Sequence, residues 1–346
     1  MTTGLIAAPD RVMSLMQFGY TESEAAFLWM AALQGGYFLR RQVAHFMDCR
    51  DGATVTRLVQ RTLALEHARS STWRQNTQLY HLFARPFYEA IREADNRNRR
   101  EHALDQIKNR IMGLDFVLAH QDSRHLATER EKLDYFHEAL KIDLKRLPAK
   151  RYASAKGGGT TTRYFVDKYP VFVTTAPITG SDRVLFSFVD EGLVSLSRFE
   201  NYLTQYRPLL EVLPHFQLIY VVASETHFAG ARAMFDRFRT AKSSASEATA
   251  APDFQALRTY FQLRHLYEQR AFDRFDREKL IRLRNAREVF SDPKTEALYT
   301  TWTTLGDQAL SAPFNSQSDK PASITGTFST HLLRHDYSLF GTNWPR

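Results

Sequence analysis

Residues 53–64 read ATVTRLVQRTLA, and the spacing inside this stretch decides the fold of the N-terminal domain. Val55, Leu58, Val59 and Leu63 recur at the i, i+3, i+4 interval that gathers apolar side chains on one face of an α-helix. The opposite face carries Thr54, Thr56, Arg57, Gln60 and Arg61, with neither an acid nor a large apolar group. Hydroxyls bond phosphate oxygens, and the forked ends of arginine and glutamine match guanine and adenine edges in the major groove. The helix is therefore expected to read double-stranded DNA.

The flanks support a winged helix-turn-helix over residues 1–90. Upstream, Thr21 to Glu24 (TESE) forms a capping box, and an apolar helix is expected from Ala25 to Leu33. Gly35 and Gly36 end it. A second helix over residues 39–47 buries Val43 and Phe46, and a short turn at 49–52 precedes the third. Downstream, 67–73 and 77–83 read as two strands around a turn at 74–76, a wing with Arg69, Arg74 and Gln75 near its tip. Three-helix units with a polar outer helix also serve as dimerisation modules, so a protein-interaction scaffold stands as an alternative.

Further along, 91–150 reads as a helical connector. Its basic stretch offers Arg97, Arg99 and Arg100 as phosphate clamps, or else a solvated face balanced by Glu93, Asp95 and Glu101. Residues 151–240 read as an α/β domain, with strands over 163–175, 184–190 and 216–223 and a helix over 196–213. Residues 241–252 (AKSSASEATAAP begins at 241) form a low-complexity linker. A basic, aromatic helix over 254–290, within a helical region 253–310, is expected to serve packing or dimerisation. Residues 311–346 are expected to be an irregular tail. The fold class is α+β.

These features together resemble the replication-relaxation family of bacterial mobile elements. The likeness rests on the winged-helix pattern and on Phe186–Tyr206 (FSFVDEGLVSLSRFENYLTQY), a strand, an acid-plus-glycine turn and a patterned helix. It implies a winged-helix DNA binder fused to a domain related to restriction-endonuclease folds, acting as a transcriptional regulator or as an accessory in replication or transfer. Tyr169, Pro170 and Val171 align with the family's Pro-Asp position, with Val171 where the aspartate is expected. A nuclease site needs two carboxylates for Mg²⁺ and an acid-x-Lys pair. Neither 184–190 nor 216–223 has that pair, and Asp167 and Lys168, being adjacent, point to opposite faces of a strand. The α/β domain is thus expected to be a degenerate, non-catalytic relative. Asp190 is expected to bond a helix N-terminus or an arginine, and Gly192 to serve the turn. A metal-dependent nuclease is the alternative.

Bulk composition sets the limits. The chain has 346 residues, a formal charge of +8 and a single cysteine, Cys49. A positive excess favours a polyanionic partner. One cysteine gives no disulfide framework and no thiolate cluster, which fits a reducing compartment, and a cytoplasmic location is expected. No apolar run is long enough to cross a membrane. No metal, cofactor or small-molecule substrate is expected, and a homodimer spanning two half-sites is the default assembly.

Overall fold

The computed structural model describes residues 9–73, 77–153, 160–167, 169–175, 182–192, 195–240, 254–269, 271, 275–290, 293–311 and 324–337. The chain divides into two compact units, residues 1–240 with 324–346, and residues 241–323. The segments 1–90, 91–150 and 151–240 all lie in the first. Both helices and sheets build it, as expected of an α+β chain.

In the first unit, α1 (Pro9–Met16) precedes α2 (Glu22–Gln34), whose N-terminus is closed by the capping box. The Thr21 N–H donates to Glu24 Oε2 at 2.8 Å, and the Glu24 N–H donates to Thr21 Oγ1 at 3.3 Å. Every side chain from Glu24 to Gln34 is buried, so α2 is the axis around which the N-terminal part packs. Gly36 takes φ +79°, and a Cβ there would lie 2.6 Å from the Asn98 carbonyl oxygen, so only glycine lets the chain turn there.

After that turn come β1 (Tyr37–Leu39), α3 (Arg40–Phe46), α4 (Ala53–Ala64), β2 (Ala68–Thr72) and β3 (Gln78–Leu82). β3 lies between β1 and β2, antiparallel to both, with Tyr37 opposite His81 and Ala68 opposite Leu82. The short β1 is fully buried and showed no alternation to the sequence reading. α5 (Arg85–Ala90) follows the hairpin.

α6 (Leu104–Leu118) joins this part to a five-stranded sheet. It buries Ile107 and every residue from Ile111 to Leu118. On one side Gln42 Nε2 donates to the Ile111 carbonyl at 2.9 Å. On the other, α6 shares a hydrophobic core with Phe172, Val189, Ile219 and Val221 of the sheet.

The sheet holds β4 (Arg124–His125), β7 (Val171–Thr175), β8 (Asp182–Asp190), β9 (Phe216–Val222) and β10 (Thr327–Leu332), in the order β10-β9-β8-β7-β4. β8, β9 and β10 are parallel; β7 and β4 run antiparallel to their neighbours. Alternation divides the side chains between two layers. Ile219 and Val221 face the α6 core, while Leu218, Tyr220 and Val222 face a second core. α8 (Ser197–Leu210) and α9 (Phe228–Thr240) complete that second core. Strands buried on both faces read as near-continuous apolar runs, which is why 184–190 and 216–223 were visible in the sequence.

Three expectations are corrected here. The single strand over 163–175 is two: β6 (Thr160–Tyr164) pairs with β5 (Ala149–Ala153) in a separate hairpin, and Pro170, which has no N–H to give a ladder, stands just before β7. The tail 311–346 is not all irregular, because β10 adds a parallel edge strand, Thr327 opposite Gln217 and Leu332 opposite Val222. The basic stretch before α6 contains only the tight turn Arg97–Arg99, and helix starts at Leu104. Between β4 and β5, α7 (Glu129–Leu133) opens on a second Thr-Glu capping box and widens into a π-helical turn over Asp134–Ala139.

The second unit packs α10 (Phe254–Glu268), α11 (Arg277–Val289), α12 (Pro293–Leu305) and the short α13 (Gln308–Ser311) around Leu257, Tyr260, Phe261, Phe290, Tyr299 and Trp302. The single helix expected over 254–290 is broken. Asp276 caps α11 by accepting the Lys279 N–H at 2.7 Å. Arg264 is held by Glu268 along its own helix and by Glu296 of α12. No helix among the described residues is long and apolar enough to cross a membrane.

Candidate nucleic-acid interface

α4 turns Val55, Leu58, Val59 and Thr62 into the core and leaves Thr54, Arg57 and Gln60 exposed. The turn before it is fastened from α3. Arg40 Nε donates to Asp51 Oδ1 at 3.0 Å and to Oδ2 at 3.1 Å, and Arg40 Nη2 reaches Thr56 Oγ1 at 2.9 Å. Through this fork Arg40 of α3 holds both the turn and the first part of α4. Arg57 has no polar partner among the described residues, and its guanidinium is free for a ligand.

Two residues expected on this outer face are otherwise engaged. Arg61 Nη1 donates to Glu24 Oε2 at 2.7 Å, and the Glu24 side chain is only 8% exposed, so Arg61 ties α4 to α2. Thr56 is half-buried and its hydroxyl oxygen accepts the hydrogen bond from Arg40 Nη2. A third residue was missed. Arg50 lies exposed in the turn between α3 and α4 without a polar partner among the described residues. A basic residue in the turn just before α4 was the available signal.

On the hairpin, β2 exposes Arg69, Ser70, Ser71 and Thr72. Arg69 sits at the base of the strand rather than near the tip, paired with Glu101 at 2.7 Å and lying over the Phe83 ring. Arg74 and Gln75, expected at the tip, lie outside the described residues. Of the three arginines expected to clamp phosphates, Arg99 is spent on the fold: its Nε donates to the Phe83 carbonyl at 3.2 Å and its Nη1 to the Ala94 carbonyl at 2.6 Å. Arg97 is exposed and lies over the Tyr152 ring, 5.3 Å from its centroid. Arg100 is exposed and has no polar partner among the described residues.

Beneath the hairpin, His81 stacks on Tyr37 at 4.2 Å and donates from Nε2 to the Asn98 carbonyl at 2.9 Å. That assigns the proton to Nε2 and leaves Nδ1 as the acceptor for Arg69 Nη2 at 3.3 Å. Protonating Nδ1 would set a second cation against Arg69 inside a buried site. Burial pushes the His81 imidazole down to about 4. A histidine depressed in the folded state stabilises the fold above its unfolded value, and that stability is lost as the pH falls through the folded one. Urea-unfolding midpoints are therefore expected to fall between about pH 6.5 and pH 4. His81→Gln, which keeps a donor toward Asn98 but does not titrate, should make that part of the profile less steep, the remaining slope belonging to histidines such as His102 and His125, which burial pushes down as well; an unchanged slope would refute the assignment.

At the end of β8, the acids are held in ways the sequence did not show. Asp190 receives the Tyr220 hydroxyl and the Gly192 N–H, the latter at 2.8 Å, and among the described residues it meets neither a helix N-terminus nor an arginine. Burial, followed by this bond, pushes the Tyr220 phenol well above its ordinary range. Gly192 takes φ +73°, which does serve the turn. The arginine, Arg198, pairs instead with the neighbouring Glu191, which also accepts from Asn109 Nδ2 at 3.1 Å. Among the described residues no three His, Cys, Asp or Glu side chains gather as a metal ion would require. Comparison with protein-family models, with curated proteins and with solved structures gives no match for the chain.

Proposed function

We propose that the chain binds double-stranded DNA without catalysis, through a winged helix-turn-helix made of α2, α3, α4 and the β2–β3 hairpin. The observation that carries this reading is the outer face of α4: Thr54, Arg57 and Gln60 stand exposed, no acid lies in the helix, and Arg57 is unpaired among the described residues. α4 is the helix that would enter the major groove, with α3 crossing the backbone and the hairpin beside it. Arg50, Arg57 and Arg100 are exposed arginines near this face with no polar partner among the described residues, free to meet phosphate or base, and the overall charge of +8 adds a sequence-independent attraction.

The order of elements, a helix-turn-helix with hairpin followed by a mixed sheet, supports the kinship with replication-relaxation proteins. On this reading the protein serves as a regulator, or as a replication or transfer accessory, of a mobile element and works as a homodimer. The bonding of Asp190 to Tyr220 and Gly192 favours a structural role for that acid over metal binding. The test is fluorescence anisotropy with a random duplex of about 30 base pairs, across a salt series with Mg²⁺ present. Affinity should fall steeply with salt while the duplex stays intact. Failure to bind at low salt rejects the reading, and cleaved product redirects it to a nuclease.

A further inference from the structure

A cavity of about 1130 Å³ opens within the first unit, between residues of α6, α7 and the loop that leads into β7. Its wall includes Lys132, whose side chain lies with the ammonium 5.5 Å from the Phe165 ring centroid and whose exposure is only 5%. Among the described residues this ammonium has no hydrogen-bond acceptor and no carboxylate within ion-pair distance. Asp167, Glu131 and Glu129 act on this charge only through space, so the ammonium keeps its hydrogen-bonding capacity for an acceptor inside the cavity.

The carboxylates around the lysine are already supplied with donors. Glu129 accepts from Arg163 Nε and from the Tyr164 N–H, each at 2.7 Å. Glu131 caps Thr128 at 2.8 Å, and Asp167 takes the Tyr206 hydroxyl at 2.8 Å. His125, on the same wall, is held neutral because burial pushes it down to about 3, with Lys132 acting in the same direction. A second donor of the cavity wall, Arg110 Nε, is also buried without a partner. What is missing here is an acceptor. Tyr152, Phe165 and Tyr169 supply apolar surface beside it.

We propose that this cavity binds a small molecule bearing an oxyanion, a carboxylate or a phosphoryl group, with Lys132 as the residue that holds it. The site stands independently of the DNA reading, since none of these residues belongs to α4 or the hairpin. Burial also pulls the Lys132 ammonium below the ordinary lysine range, opposed in part by Asp167, so it gives up its proton more readily than a surface lysine does.

Pyridoxal 5′-phosphate carries both a phosphoryl group and an aldehyde, and so serves as the probe on the full chain. Its aldehyde condenses with a lysine amine, losing water to form an imine, and borohydride hydride reduces that imine to a stable secondary amine. Peptide mass spectrometry then reads the label. Lys132 should be labelled about tenfold over the exposed Lys145 and Lys150, because a desolvated amine is less protonated than an exposed one. Phosphate should suppress this labelling if a phosphoryl group is preferred, and malonate if a carboxylate is. Lys132→Arg keeps the cation and cannot form the imine, so it should lose the label yet retain thermal stabilisation by the effective anion. Labelling of Lys132 at the rate of the surface lysines, or labelling that neither anion reduces, overturns the proposal.

Discussion

Asp115→Ala is expected to destabilise the first unit by about 3–5 kcal/mol, among the largest effects of any single polar substitution in the chain. The carboxylate is buried on α6, its side chain 3% exposed. Arg41 of α3 meets it with both terminal nitrogens, Nη1 to Oδ1 at 2.6 Å and Nη2 to Oδ2 at 2.8 Å, and the Tyr337 hydroxyl donates to Oδ2 at 2.5 Å. One carboxylate thus ties three segments far apart in sequence. Alanine would leave the guanidinium partly buried and unpaired and orphan the phenol, and both costs fall on the folded state. At roughly 2–4 °C per kcal/mol for a unit of this size, the melting temperature should drop by roughly 6–20 °C. A paired change to apolar groups, Arg41→Met with Asp115→Leu, removes both charges and should cost less than Asp115→Ala alone. The denaturation midpoints of the three variants decide the point. Asp115→Ala within about 1 kcal/mol of the parent would mean that the fork contributes no more than a surface pair does.

How far the sequence revealed this molecule depends on the range of the interaction concerned. α4 was legible because its apolar period is local, and the hairpin because two strand-like runs, 67–73 and 77–83, flank a turn. β8 and β9 announced themselves as apolar runs between breakers. β1 did not, since three buried residues in a row carry neither alternation nor period. β10 was hidden in a tail rich in Ser, Thr and Pro, and it becomes a strand only because β9 offers an open edge. The candidate interface shows the same limit. That Arg57 faces outward follows from helical spacing, but that Arg61 does not depends on Glu24, 37 positions away. Lys132 is the sharpest case. It lies in the five-residue stretch EREKL, which reads as a solvated face, yet it is 5% exposed because Phe165 covers it.

Arg57→Ala is expected to lower affinity for the cognate duplex by about 1–3 kcal/mol, roughly five- to 150-fold, and to relax the preference at one base position. The site itself would first be recovered by selection from a random duplex pool. Gln60→Ala should act in the same way at a neighbouring position, because both side chains leave the same exposed face of α4 one turn apart. Arg100→Ala should behave otherwise. Its free guanidinium lies outside α4, so on the DNA-binding reading it meets phosphate, and its loss should weaken all sequences alike while reducing the salt slope by about one. Arg61→Ala separates these effects from folding. Removing it leaves the buried Glu24 without its cation, which should lower the denaturation midpoint more than Arg57→Ala does. Binding of each variant to cognate and random duplex, at two salt concentrations, reads the first three outcomes, and denaturation midpoints read the fourth. If Arg57→Ala and Arg100→Ala reduce cognate and random binding by the same factor, α4 does not read bases, and the specificity must reside in the hairpin or outside this domain.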